Sequence, residues 1–248
     1  MNRNDALDTV PTGQTCPGVN RAVVELLLED DRHAVGSHVL DIPCGNGELV
    51  RTVRSFFPEA AVRGCDLQKP EGLAAEDFAV VDASRPFSVF PDRPFDCILS
   101  VSGVMEFDNT LQFFESCHKH LRPGGRFIVT NDSGVTMWDR LSYLLLGKTR
   151  QFQIFVDQNQ PTWKVLPLQN MIRLLRDAGF TVREKPKYVS IERRNWLMLP
   201  FALLVYPVQW LYIHLARNPM PVAEKRGMYP FRSLLCRHYI LVCEKPAT

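Results

Sequence analysis

Short apolar runs alternate along the chain with stretches whose apolar positions recur at helical spacing. Val19, Val23, Val24, Leu26, Leu27 and Leu28 share one side of a helix expected over 19–29, and Gly36-Ser37 separates it from a strand at 38–41. A second helix spans 47–57, with Leu49, Val50, Val53 and Phe57 inward and Pro58 as its stop. Strands follow at 61–66, at 78–81 before Asp82, and at 95–101, a near-continuous apolar run of the kind a buried parallel strand needs. A helix over 110–121, capped by Asp108 or Asn109, leads through a Pro123-Gly124-Gly125 turn into a strand at 126–130. Later come a helix at 168–178 closed by Gly179 and strands at 181–190 and 238–244. This cadence predicts an α/β fold built on an open, mostly parallel sheet with helices on both faces. Residues 1–18 read as a loose polar lead-in, and two insertions, 132–167 and 191–237, stretch the second half.

Composition narrows this picture. A chain of 248 residues, 46% hydrophobic and 23% charged, buries a core as one domain and is not disordered. A net charge of +2 gives no reason to expect a nucleic-acid partner. The seven cysteines form no CxxC pair, which fits reduced, buried thiols in a cytoplasmic protein, and the N-terminus lacks the apolar core of a signal peptide.

Candidate chemistry centres on 39–50, where a strand ends at Asp41 and a turn with Gly45 and Gly47 opens a helix. Such a backbone turns sharply and lets a ligand approach with no Cβ in the way. A dinucleotide site would place a third glycine where Val50 stands. An acidic residue ahead of the glycines suits a cationic amino-acid tail better than phosphates. Asp66 ends the second strand, where a carboxylate can accept ribose hydroxyls, and Asp82 ends the third, near an adenine amine. Ser100 lies at the end of the fourth.

These stretches resemble the motifs of class I S-adenosylmethionine-dependent methyltransferases: DIPCGNGEL at 41–49, GCDL at 64–67, VVDA at 80–83, FDCILSVSGVMEF at 95–107 and LRPGGRFIVT at 121–130. The likeness covers 19–131, and beyond it only the helix ending at 177–180 and the last two strands match. It implies a Rossmann-like, doubly wound seven-stranded sheet, mostly parallel, whose antiparallel last strand lies between strands five and six. It also implies S-adenosyl-L-methionine as methyl donor, held by Asp41, Pro43, Gly45, Gly47, Asp66, Leu67, Asp82, Ala83 and Ser100, with the whole chain as one methyltransferase domain.

Methyl transfer from a sulfonium needs alignment and exclusion of water, and a hydroxyl acceptor additionally wants a base. Glu106 and Asp132 are the catalytic candidates, with Asp108 and Asn131 also at strand ends. Val104 to Phe107 resembles the (L/M)EH segment of small-molecule methyltransferases, some of which bind a divalent metal there. Phe107 replaces the histidine, so no metal site is assigned. His118 and His120 lie late in a helix leading away from the strand ends and read as packing or surface residues.

The run 196–216 is apolar and the length of a membrane span. A single crossing is not expected, because the flanking strands must pair in one sheet. Pro200 and Pro207 are expected to break the run into short helical pieces. It is a shallow membrane contact, a dimer interface or a roof over an apolar pocket. The insertion at 132–167 is a lid candidate. The expected activity is methyl transfer to a small lipophilic or lipid-linked acceptor, O-methylation favoured, on the inner face of a membrane or in the cytoplasm. The alternatives are a nicotinamide-dependent oxidoreductase and a non-catalytic membrane-associated scaffold.

Overall fold

The computed structural model describes residues 3–29, 37–148, 164–183 and 185–247. Residues 149–163 of the first insertion and Glu184 of the expected strand 181–190 lie outside them. The helices are α1 (Arg3–Asp8), α2 (Val19–Leu28), α3 (Glu48–Phe56), α4 (Thr110–His120), α5 (Met137–Leu146), α6 (Leu168–Asp177), α7 (Arg193–Trp196), α8 (Leu199–Leu215) and α9 (Val222–Met228). The strands are β1 (His38–Asp41), β2 (Ala61–Asp66), β3 (Phe78–Val80), β4 (Phe95–Ser100), β5 (Leu121–Asp132), β6 (Thr181–Val182), β7 (Lys187–Val189) and β8 (His238–Glu244).

They form one sheet in the order β3-β2-β1-β4-β5-β8-β6, with β7 also on β8. β1 to β5 run parallel, and β8 is antiparallel to its neighbours. This is the Rossmann-like arrangement with an antiparallel strand inserted beside β5. The count is eight rather than seven because the expected 181–190 strand is interrupted: Pro186 has no N–H to give β8. The turn expected at 123–125 is absorbed into β5 as an irregularity, where the register with β4 shifts between Phe95 and Cys97.

Alternation along the strands explains their apolar runs, since both faces are covered. Leu40, Ile98, Phe127, Val129 and Leu241 face a core completed by Phe113 and Phe114 of α4 and Met171 and Leu175 of α6. Val39, Cys97, Leu99, Ile128 and Ile240 face the opposite core with Val23 and Leu27 of α2 and Leu49 and Val53 of α3. Each such side chain, fully buried, contributes about 1.5–3 kcal/mol. Asn109, one of the two expected caps, holds the start of α4 by accepting the Gln112 N–H at 3.1 Å.

The described part of the lead-in, 3–18, is ordered rather than loose. α1 puts Leu7 into the second core, and Cys16 is buried. The prolines also do not break the apolar run of the second insertion, whose first residue, Trp196, ends α7. α8 is one helix of 17 residues with Pro207 inside it. Pro200 sits in the first turn, where its missing N–H has no helical partner, so only Pro207 costs a bond, the one to Leu203. Gln209, part-buried, ties the helix by donating to the Tyr229 carbonyl at 3.3 Å and accepting from Arg140 of α5 at 2.5 Å.

Candidate functional site

β1, β2 and β4 end at the same edge of the sheet, and the turns that leave them wall a cavity of about 1090 Å³. Asp41, at the end of β1, is 1% exposed, and its Oδ1 has no hydrogen-bond partner. Burial, and then the negative charge of Asp66, push its carboxyl well above the usual carboxylate range. A buried acceptor in that state is costly unless a ligand supplies a donor or a cation.

Beyond Asp41 the chain turns at Gly45, with φ of 51°, and Gly47, with φ of 72°, a region that favours glycine. Gly45 donates its N–H to Asp66 Oδ2 at 2.7 Å, while Leu67 N–H meets Asp66 Oδ1 at 2.7 Å. Each oxygen of Asp66 retains a lone pair for a further donor. Asp82, after β3, accepts the Ser84 N–H at 3.0 Å, and Ala83 beside it lines the wall. Pro43 packs against Gly103 so closely that a Cβ there would stand 2.2 Å from Pro43 Cδ.

The cavity therefore gathers Asp41, Pro43, Gly45, Asp66, Leu67, Asp82, Ala83 and Glu106 from four separate stretches. Its wall carries six carboxylates against two cations, Arg51 and Lys69, in a chain that is net positive. That field attracts a cationic ligand and opposes a pyrophosphate. Glu106 sits in a single turn at Val104–Glu106, and its carboxyl is raised by burial first and then by Asp66. Phe107 packs its ring 4.5 Å from Phe113 and belongs to the core.

Three expected residues do not reach the wall. Gly47 shapes the turn as the N-cap of α3. Ser100 is fully buried within β4. Asp132 is buried at the end of β5, 2.7 Å from His238 Nδ1 and 3.5 Å from Arg237 Nε. His238 Nε2 lies 2.9 Å from Thr130 Oγ1 and 3.4 Å from Ser102 Oγ, so the pair backs the wall from behind. Asp132→Ala is expected to lower stability by about 2–3 kcal/mol, because buried His238 loses a hydrogen-bond partner while Arg237 keeps Glu192. A thermal melt should fall by roughly 4–12 °C.

Residues of the lead-in complete the wall unannounced. Gly13, Gln14 and Thr15 line it, and the Thr15 hydroxyl lies 2.6 Å from that of Ser102. Asn20, buried on α2, anchors this segment by donating to the Pro11 and Thr12 carbonyls at 3.1 and 3.0 Å. A polar residue on the otherwise apolar side of that helix was the signal for it.

Among the described residues, Cys16, Asp132 and His238 could gather around an ion. Arg237 already stands against that carboxylate.

A family model described as a methyltransferase domain matches residues 16–185. Malonyl-[acyl-carrier protein] O-methyltransferase of Hahella chejuensis is 30% identical over 120 residues, covering 45% of this chain and 42% of the relative. Fatty-acid O-methyltransferase of Mycolicibacterium smegmatis is 29% identical over 104 residues, 39% of this chain and 37% of the relative. The chain thus spans less than half the length of these curated relatives. Among solved structures, Haemonchus contortus phosphoethanolamine N-methyltransferase 2, in complex with phosphomonomethylethanolamine and S-adenosylhomocysteine, superposes with a TM-score of 0.58 at 17% identity. That match covers 98% of this chain and 56% of the other, and it shows the shared fold.

Proposed function

The chain belongs to the methyltransferase domain family of S-adenosylmethionine-dependent enzymes, and from that premise we propose that it methylates an oxygen of a small lipophilic acceptor. The observation that carries the methyl-donor site is Asp41, a buried carboxyl group with an unpartnered oxygen beside an acid-rich cavity. A ligand bearing an ammonium and a sulfonium meets both needs. Asp41 would receive its amino group, with the Gly45 turn and Pro43 beside it. Asp66 would accept the ribose hydroxyls, and Asp82, Ala83 and Leu67 would flank the adenine.

S-adenosylmethionine supplies an activated methyl group on a positively charged sulfur. Bound there, it would give its methyl carbon to the acceptor oxygen and leave as the neutral thioether S-adenosylhomocysteine. The chain's own contribution is to hold the two in line and keep water out. Glu106, at the wall, takes the proton from the acceptor hydroxyl. α5 leaves the same sheet edge directly after β5 and serves as a lid over the acceptor.

Two further observations support a lipophilic acceptor. Exposed apolar helices follow β5 and β7 at the sheet edge that holds the cavity, and the two curated relatives above are named for carrier-bound malonyl and fatty-acid substrates. The test is transfer of labelled methyl from S-adenosylmethionine in the presence of a bacterial lipid extract or a pool of water-soluble metabolites. Label in the organic phase, released as methanol by mild base if it is an ester, is the expected result. Label confined to the aqueous pool would overturn the acceptor class.

A further inference from the structure

α8 is apolar on all sides, yet only Ala202 and Ile213 of its 17 residues are buried. A helix of that character needs a cover. Its outer surface shows Leu204 at 74% exposure and Leu215 at 68%, and α5 beside it shows Leu144 at 80%. The two helices share a foot: Met137 of α5 and Ala202 of α8 lie in one small core with Leu234 and Leu235. Together they are the large exposed apolar area among the described residues.

Its place in the fold is specific. β7 runs parallel to β5, because both pair antiparallel with β8. The second insertion therefore leaves β7 and rejoins β8 at the sheet edge that holds the cavity, and α5 leaves β5 there too.

Charge decides what covers this face. The segment 191–237 holds seven basic residues and two acidic ones, while the whole chain is only +2; Lys225 is buried and Arg194 and Arg237 pair with Glu192, which leaves Arg193, Arg217, Arg226 and Arg232 as its exposed, positive surface. Exposed Arg193 and Arg194 stand before α8 and Arg217 just after it, and Arg226 lies over the Trp210 ring at 5.5 Å from its centroid. A second copy of the chain would bring the same positive charge against itself. Trp196, Trp210 and Tyr212, all exposed, are the amphipathic aromatics that settle at a membrane–water boundary. No described helix is long and apolar enough to cross a membrane, and both ends of the segment must return to one sheet.

We propose that α5 and α8 dock the chain on an anionic lipid surface, with α8 lying in the plane of the boundary and the cavity's edge turned toward the bilayer. The purpose of this contact rests on the lipophilic-acceptor reading, since the acceptor would then enter from the lipid phase. The contact itself is measured without acceptor or cofactor.

The experiment is co-sedimentation with vesicles of phosphatidylcholine, with and without phosphatidylglycerol. The full chain should pellet with the anionic vesicles. Leu204→Glu combined with Leu211→Glu should lower the bound fraction about tenfold, and Arg193→Glu with Arg194→Glu should remove the dependence on phosphatidylglycerol. S-adenosylhomocysteine affinity and melting temperature should stay unchanged in both variants, which shows that they fold. Pelleting equal to that of the unsubstituted chain in the leucine variant, or no pelleting of the unsubstituted chain, would overturn the proposal. So would a concentration-dependent dimer in analytical ultracentrifugation that the leucine variant abolishes, since the cover would then be a second copy. Loss of cofactor binding with vesicle binding intact would instead overturn the methyl-transfer reading alone.

Discussion

Asp41→Asn is expected to weaken S-adenosylhomocysteine binding by about 100-fold, the cost of roughly 3 kcal/mol for removing one side of a buried charge pair. Burial, and then the charge of Asp66, raise the wild-type carboxyl, so in the ligand-free fold it ionises at higher pH than an ordinary carboxylate. Two signs follow. Affinity for the ligand's ammonium should rise with pH as Asp41 ionises, and fall in acid before an ordinary carboxylate would protonate. Stability moves the other way: a raised carboxyl stabilises the fold below its unfolded pKa, and that contribution is lost as pH rises through the folded value. The ligand-free Asn variant should therefore gain in melting temperature relative to wild type as pH increases. Calorimetry and melts across the same pH series read both. A variant that binds as tightly as wild type would remove Asp41 from the site.

Glu106→Gln should reduce kcat by about 100-fold on a hydroxyl acceptor while leaving S-adenosylhomocysteine affinity intact. Burial, then the charge of Asp66, raises this carboxyl, and the base works only when ionised. The acid limb of kcat/KM should accordingly lie above the ordinary carboxylate range, with rate lost as pH falls through it. Glu106→Asp should recover part of the rate and keep the limb. An unchanged kcat in the Gln variant would place the base elsewhere.

The parts of the molecule that were legible in the sequence are those whose cause is local. β1, β2 and β8 begin and end at the expected residues, because a strand covered on both faces shows itself as an apolar run. Asp41, Asp66 and Asp82 were readable because each ends such a run beside a glycine turn or a short loop.

What escaped was set by contacts between distant parts of the chain. Thr15 reaches the wall through Ser102, 87 residues away, and nothing in a polar stretch of loop-forming residues announces that partner. Asp132 looked like a strand-end carboxylate facing ligand, yet His238, 106 residues on, and Arg237 hold it within the fold. Pro207 suggested a break because its lost hydrogen bond is a local signal, while the ties that keep α8 continuous come from α5 and from Tyr229. The edge strand is a different case: Pro186, a local signal, was read inside one strand and instead divides β6 from β7.

An acid-lined cavity of this kind takes a cationic sulfonium nucleoside and not a dinucleotide. Titration calorimetry of the purified chain with S-adenosylhomocysteine, S-adenosylmethionine and NADH in turn separates the two. One site per chain is expected for the first two and no heat above dilution for NADH. Saturable binding of NADH, or none of either adenosyl compound, would overturn the assignment.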